Sequence, residues 1–271
     1  MSIRNYAPRR QRRGVSPFAN GLQVGTMVAA LFLQMSYPLL SGEALRVVTI
    51  ATVYFGTAAM CVHARLFYGW KYTRRYLLIT LPFAFFIELI GESTGWPFGT
   101  YSYDPSLGPQ LLGIPLVVPF AWAMMAHPLL IVARRMTKKW TFLYGGFALM
   151  AWDLFLDPQM VGAGRWKWEV TGSHVPFQPE IPLSNMFGWL LAGITLMAIL
   201  NFSLPKEQRK YGSSLLASDV FLAWSWFGGI VSNLFFFNRP GVALFAGFFY
   251  TLALAPYFSL AGLGAHKYLI C

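Results

Sequence analysis

FFIELIGESTGWPFGTYSYD, residues 85–104, begins as an apolar helix and ends as a loop of Gly, Pro and aromatic residues. Two carboxylates, Glu88 and Glu92, stand four residues apart where the apolar run finishes, and no Lys or Arg follows them within the stretch. The composition of the rest of the chain decides what kind of helix this is. Of 271 residues, 56% are hydrophobic, 17% aromatic and only 11% charged, with a mean hydropathy of +0.50. A soluble domain carries about 25% charged residues, so this chain lacks the polar surface that water requires. Apolar runs of about twenty residues recur along its length, which is the pattern of membrane spans. The fold class expected is therefore all-α, a polytopic integral membrane helical bundle.

Eight spans are expected, near 22–40, 44–66, 74–92, 113–133, 140–157, 185–203, 214–236 and 241–263. The first follows a basic segment but is too long for a signal-peptide core, so it reads as a retained helix. Residues 1–20 then form a basic cytoplasmic tail, and 21–265 a single transmembrane domain. The net charge of +11 is distributed as topology information rather than as a nucleic-acid surface. Arg4, Arg9, Arg10, Arg12 and Arg13 lie in the tail; Arg65, Lys71, Arg74 and Arg75 follow the second span. Arg134, Arg135, Lys138 and Lys139 follow the fourth, Lys206, Arg209 and Lys210 the sixth, and Lys267 the eighth. The alternate connections hold only Arg165, Lys167 and Arg239, with Arg46 just inside the second span. That alternation puts both termini in the cytoplasm. Cys61 and Cys271 have neither metal-site nor disulfide spacing.

The long connections 93–112 and 158–184 face outward in this topology and are rich in Gly, Pro, Trp and Tyr. Tryptophan and tyrosine favour the membrane interface, so these loops are expected to lie on the membrane as caps.

Only ten residues are acidic. Glu88 and Glu92 end the third span, and Asp153 and Asp157 end the fifth in AWDLFLDP. Each pair, at i and i+4, shares one helix face. Both spans run outward, so four carboxylates occupy one layer near the outer leaflet if the helices are neighbours. A carboxylate within a span costs about 2.5–3.5 kcal/mol on insertion scales, which makes it a functional candidate. Solvation at a helix end is the simpler reading for Glu92 and Asp157, and less so for Glu88 and Asp153, a turn deeper. No Lys or Arg lies in the outer half of either span, so some of these acids should hold a proton. A protonated acid beside an ionised one is the equipment of general acid–base catalysis. An apolar substrate that needs it is an alkene: protonation gives a carbocation, which aromatic faces stabilise, and water completes a hydration. Trp96, Tyr101, Tyr103, Trp152, Trp166 and Trp168 fall near this layer; singly, each also fits an interfacial belt.

ELIGESTGWPFGTYSY, LGIPLVVPFAW, WDLFLDPQMVGAGRWKW and IPLSNMFGW together resemble the CruF-type carotenoid hydratases, over about residues 20–265. The resemblance implies addition of water to the terminal isopropylidene double bond, the ψ-end, of an acyclic or C50 carotenoid, with a tertiary alcohol as product. It implies no cofactor and no metal. The expected partners are a carotenoid within the bilayer and membrane lipids, not nucleic acid, with association with other carotenoid-biosynthesis enzymes. Haloarchaeal members would have acidic loops, whereas this chain is basic, which favours a non-halophilic bacterial source. The resemblance carries no catalytic assignment, so the site rests on the residues: Glu88, Glu92, Asp153 and Asp157 as catalytic groups. Asp153 and Glu88 are preferred as its buried core. Substrate binding is assigned to Trp96, Tyr101, Tyr103, Trp122, Trp152, Trp166, Trp168, Asn185 and Trp189.

Other polar residues have simpler readings. His127 belongs to the cytoplasmic half as a structural or pore-facing histidine, and Asp219 to a solvated helix end. His174 reads as an exposed loop residue, while Asn185 and Asn233 could hold a water or act as helix caps. DLFLD has a likeness to the acidic motifs of intramembrane prenyltransferases, but a second such motif and basic residues to grip diphosphate are missing. A proton-coupled transporter or carotenoid-binding scaffold is the non-enzymatic alternative, though the middle layer of the spans has no acids to continue a relay.

Overall fold

A computed structural model describes residues 15–206 and 214–262. The arginines of the basic tail, Arg209, Lys210, Lys267 and Cys271 lie outside the described residues. Eight long helices run through the described chain: α1 (Pro17–Ser36), α2 (Gly42–Phe67), α3 (Trp70–Thr94), α4 (Val117–Met136), α5 (Thr141–Gly162), α6 (Leu183–Ser203), α7 (Leu216–Phe235) and α8 (Pro240–Gly262). Six of them, all but α5 and α7, are long and apolar enough to cross a membrane by length and composition. In α5 two aspartates interrupt the apolar run, and α5 is buried over most of its length. Its polarity faces protein rather than lipid.

The helix limits depart from expectation where caps and prolines intervene. Helix α1 starts at Pro17, its first turn capped by the Ser16 hydroxyl, which accepts from the Ala19 N–H. Helices α3 and α5 continue to Thr94 and Gly162, so both acidic pairs lie inside helices rather than at their ends. Helix α5 runs on through Pro158, whose missing N–H orphans the Leu154 carbonyl. The buried Gln178 side chain donates to that carbonyl at 3.1 Å, tying the connection after α5 to the helix. The fourth helix begins at Val117 instead of 113, because residues 110–115 form a hairpin.

Helices α4 and α5 form the centre, with α2 and α3 packed on α4 and α6 and α8 on α5. At the α5–α6 crossing the backbones nearly touch. A Cβ on Gly146 would lie 2.5 Å from the Ile194 nitrogen, and one on Gly193 would lie 3.0 Å from the Gly146 carbonyl oxygen. Small residues at such a crossing maximise the dispersion contact that holds helices together in lipid. At the other end of the bundle, Arg134 of α4 donates to the last carbonyls of α6, Leu200, Asn201 and Leu204, at 3.2–3.3 Å. A guanidinium there satisfies orphan acceptors and the negative end of the helix dipole.

The connections expected as loops are partly strands. Residues Tyr101–Tyr103 (β1) pair antiparallel with Trp166–Trp168 (β4), joining the two long connections. Gln110–Leu111 (β2) pairs with Ile114–Pro115 (β3), and His174–Val175 (β5) with Gln178–Pro182 (β6). In β1 and β4 the alternation YSY and WKW puts the aromatic residues on the inner face, with Ser102 and Lys167 exposed. Tyr101 stands opposite Trp168 and Tyr103 opposite Trp166, each pair of rings 5.7 Å apart.

A valine at Gly146 is expected to destabilise the protein by about 1–3 kcal/mol through overpacking at the crossing, read as thermal unfolding in detergent. Gly25→Ala, where an added Cβ meets nothing within 4 Å, should leave the transition unchanged.

Candidate active site

Glu88 is 4% exposed and its carboxylate is held by three donors. Oε2 accepts from the Tyr101 and Tyr103 hydroxyls, both at 2.7 Å, and Oε1 accepts from Trp122 Nε1 at 2.9 Å. Tyr101 reaches Glu88 because the next helical turn carries Gly91. A Cβ there would fall 2.8 Å from the Tyr101 hydroxyl and 2.6 Å from the Phe98 ring. Burial first, and then the Glu88 charge, push the Tyr101 and Tyr103 phenols well above the ordinary tyrosine range. Both stay protonated and donate. Three donors and no cation suit an ionised carboxylate that must remain in an apolar bundle.

Asp153 and Asp157 on α5 are both buried, one helical turn apart on the same face and close enough to interact. The Asn185 amide, at the start of α6, donates to Asp157 Oδ2 and, more weakly at 3.5 Å, to Asp153 Oδ2. The glycine-lined α5–α6 crossing brings Asn185 to both. Asn185 Oδ1, Asp153 Oδ1 and Trp168 Nε1 are buried without a hydrogen-bond partner among the described residues, so the site keeps polar capacity to spare.

Glu88, Asp157 and Asn185 face one chamber of ≈ 60 Å³, several water-sized volumes. The inner face of the β1–β4 ribbon roofs it with Tyr101, Tyr103, Trp166 and Trp168. Its floor includes Trp122 and Trp189, stacked with centroids 4.2 Å apart and planes at 8°. No Lys or Arg lines it. Among the described residues, no three His, Cys, Asp or Glu side chains gather as metal ligands.

Four expected members stand elsewhere. Glu92 is half-buried over Gly113 of the hairpin and does not line the chamber. The helix turns 100° per residue, so i+4 shares the face of Glu88 but lies one turn farther out, beyond the roof. Trp96 is 58% exposed and also outside. Trp152 touches Trp189 edge-on, at 6.2 Å, but lines an adjoining apolar groove. Asp153 supports Asp157 from behind rather than forming the wall.

His127 is buried far from this layer, its Nε2 3.0 Å from His63 Nδ1 and its Nδ1 3.2 Å from the Tyr72 hydroxyl. Asp219 accepts from the Tyr257 hydroxyl at 2.7 Å. Asn233 donates to the carbonyl of Gly229, one turn back in its own helix. His174 stays exposed in β5. Sequence reasoning missed Thr49, Val53, Phe98 and Met160 of the chamber wall. They are ordinary span and loop residues without local signal.

Comparison with known proteins agrees with the motifs. A relative from Haloarcula japonica (strain ATCC 49778), bisanhydrobacterioruberin hydratase, is 32% identical over 169 residues, covering 58% of this chain and 54% of the relative. The match thus spans about half the relative's length. No solved structure matches the chain. The sequence pattern of the carotenoid biosynthesis protein family matches residues 48–254, and the chain belongs to that family.

Proposed function

We propose that the protein is a carotenoid hydratase, adding water across the terminal isopropylidene double bond of an acyclic or C50 carotenoid. The observation that carries this reading is one aromatic chamber faced by both a donor-held carboxylate, Glu88, and a member of a carboxyl pair, Asp157. Two carboxyl groups this close share a proton between them. Asp157, backed by Asp153, gives that proton to the less substituted alkene carbon; the π bond becomes a C–H bond and a tertiary cation. The faces of Trp122 and Trp189 stabilise the cation, worth about 2 kcal/mol when desolvated. Water, held by the free Asn185 carbonyl and by Glu88, attacks the cation and forms the C–O bond. Glu88 takes the surplus proton, which returns to the aspartate pair through water, leaving a tertiary alcohol and regenerated acids. The wall has no basic group for a diphosphate, which weighs against prenyl transfer.

The same proposal places all eight helices across a bacterial plasma membrane as a single domain, termini inside and the β1–β4 roof outside. The alternation of Lys and Arg supports it. A cysteine replacing exposed Lys167 should react with an impermeant maleimide in intact cells, and one replacing exposed Lys139 should not. The reverse pattern would sink the topology.

The activity is tested by supplying lycopene or bisanhydrobacterioruberin to membranes containing the protein and separating the pigments by mass. A gain of one water per reacted end is expected, and a gain of a prenyl unit would overturn the reading. Glu88→Gln and Asp157→Asn should each lower turnover by at least about 100-fold, the usual worth of a general acid or base. Tyr103→Phe removes one donor from Glu88 and should cost about tenfold, as charge-assisted hydrogen bonds are worth about 1.5–3 kcal/mol. If both carboxamide variants retained full activity, the assignment would be wrong.

A further inference from the structure

Beside the chamber lies a second space, an apolar groove of ≈ 340 Å³ between the end of α1, α2, α5 and α7. The two share a wall: Thr49, Val53, Leu156 and Met160 line both. On its far side the groove is bordered by Met35 and Leu39 at the end of α1 and by Phe227 and Phe236 of α7 and its C-terminus. Each of these is more than half exposed, on the outer surface of an apolar bundle. Rings of Trp152, Phe155 and Trp224 line the interior, and no charged side chain does. Helix α7 is thinned along this side by Gly228. A Cβ added there would touch the Trp224 indole at 3.4–3.7 Å, so a larger side chain at 228 pushes that groove-lining ring into the groove.

We propose that this groove is a lateral opening by which one end of a long acyclic polyene leaves the lipid and reaches the carboxylates. The inference rests on the hydratase reading. A neutral, aromatic-lined slot of this size holds a drug-sized segment, far less than a C40 or C50 chain. Only the terminal isoprene units are enclosed, and the remainder stays in the bilayer. A substrate with two ψ-ends is therefore served one end at a time: the hydroxylated end must withdraw before the other enters. A singly hydrated product accumulates first.

The test is Gly228→Phe, which fills the groove without touching the carboxylates. Lycopene and 2-methyl-2-butene, a five-carbon hydrocarbon with the same isopropylidene end, are compared in detergent, the short one small enough to pass a narrowed groove. Lycopene turnover should fall by at least about tenfold, while hydration of the short hydrocarbon stays within about twofold. Leu244→Phe, on the exposed face of α8 at 69% exposure, should alter neither. Equal loss on both substrates, or no loss on lycopene, overturns the lateral opening. A second reading does not depend on catalysis: protein purified from a lycopene-producing host should carry visible pigment, and Gly228→Phe should lose it. A wild-type protein that binds pigment but never adds water would refute the hydratase reading alone; equal pigment in wild type and variant would refute the opening alone.

Discussion

One end of this bundle is organised around one buried carboxyl group, that of Glu88. A carboxylate carried into an apolar interior costs several kcal/mol unless it is hydrogen-bonded. Glu88 meets three donors, two from the β1 strand and one from α4. That requirement draws the β1–β4 ribbon down onto α3, which explains why a connection rich in Gly and aromatics is ordered. Gly91 makes the approach possible. Without it, the Tyr101 hydroxyl could not come within reach of the turn below.

The same accounting holds at α5. Pro158 leaves the Leu154 carbonyl unpaired in a region with little water, and Gln178 from the β6 strand supplies the donor. Asn185 spans Asp157 and Asp153 because α5 and α6 cross at the Gly146–Gly193 contact. Two irregular connections are therefore fastened to the bundle at Glu88 and at Leu154, and paired with each other through β1 and β4. The result is a small chamber roofed by aromatic rings. Electrostatic interactions between a developing cation and fixed carboxylates gain strength in such a place.

The separation of polar and apolar space is also informative. Carboxyl groups line the small chamber, while the larger groove beside it has uncharged walls. A long hydrocarbon reacting only at its tip needs such a division. The aromatic residues serve both sides, since their faces suit a polyene and a cation alike.

Hydropathy alone marked out the helices, because a backbone in lipid must satisfy its own hydrogen bonds and so spans as helix. The i, i+4 spacing identified the acidic faces, and the motifs identified the family. The alternation in YSY and WKW carried the strand signal as well, but three-residue strands are too short to stand out from interfacial aromatics. What the sequence could not decide was which helices are neighbours and how deep each side chain sits. Asp157 reached the chamber wall while Glu92 and Trp96 stayed outside it, and Asn185 joined the aspartates across an α5–α6 contact. Those outcomes depend on close packing between residues far apart in the chain. Periodicity reports which face a residue occupies, but only the tertiary structure decides what that face meets.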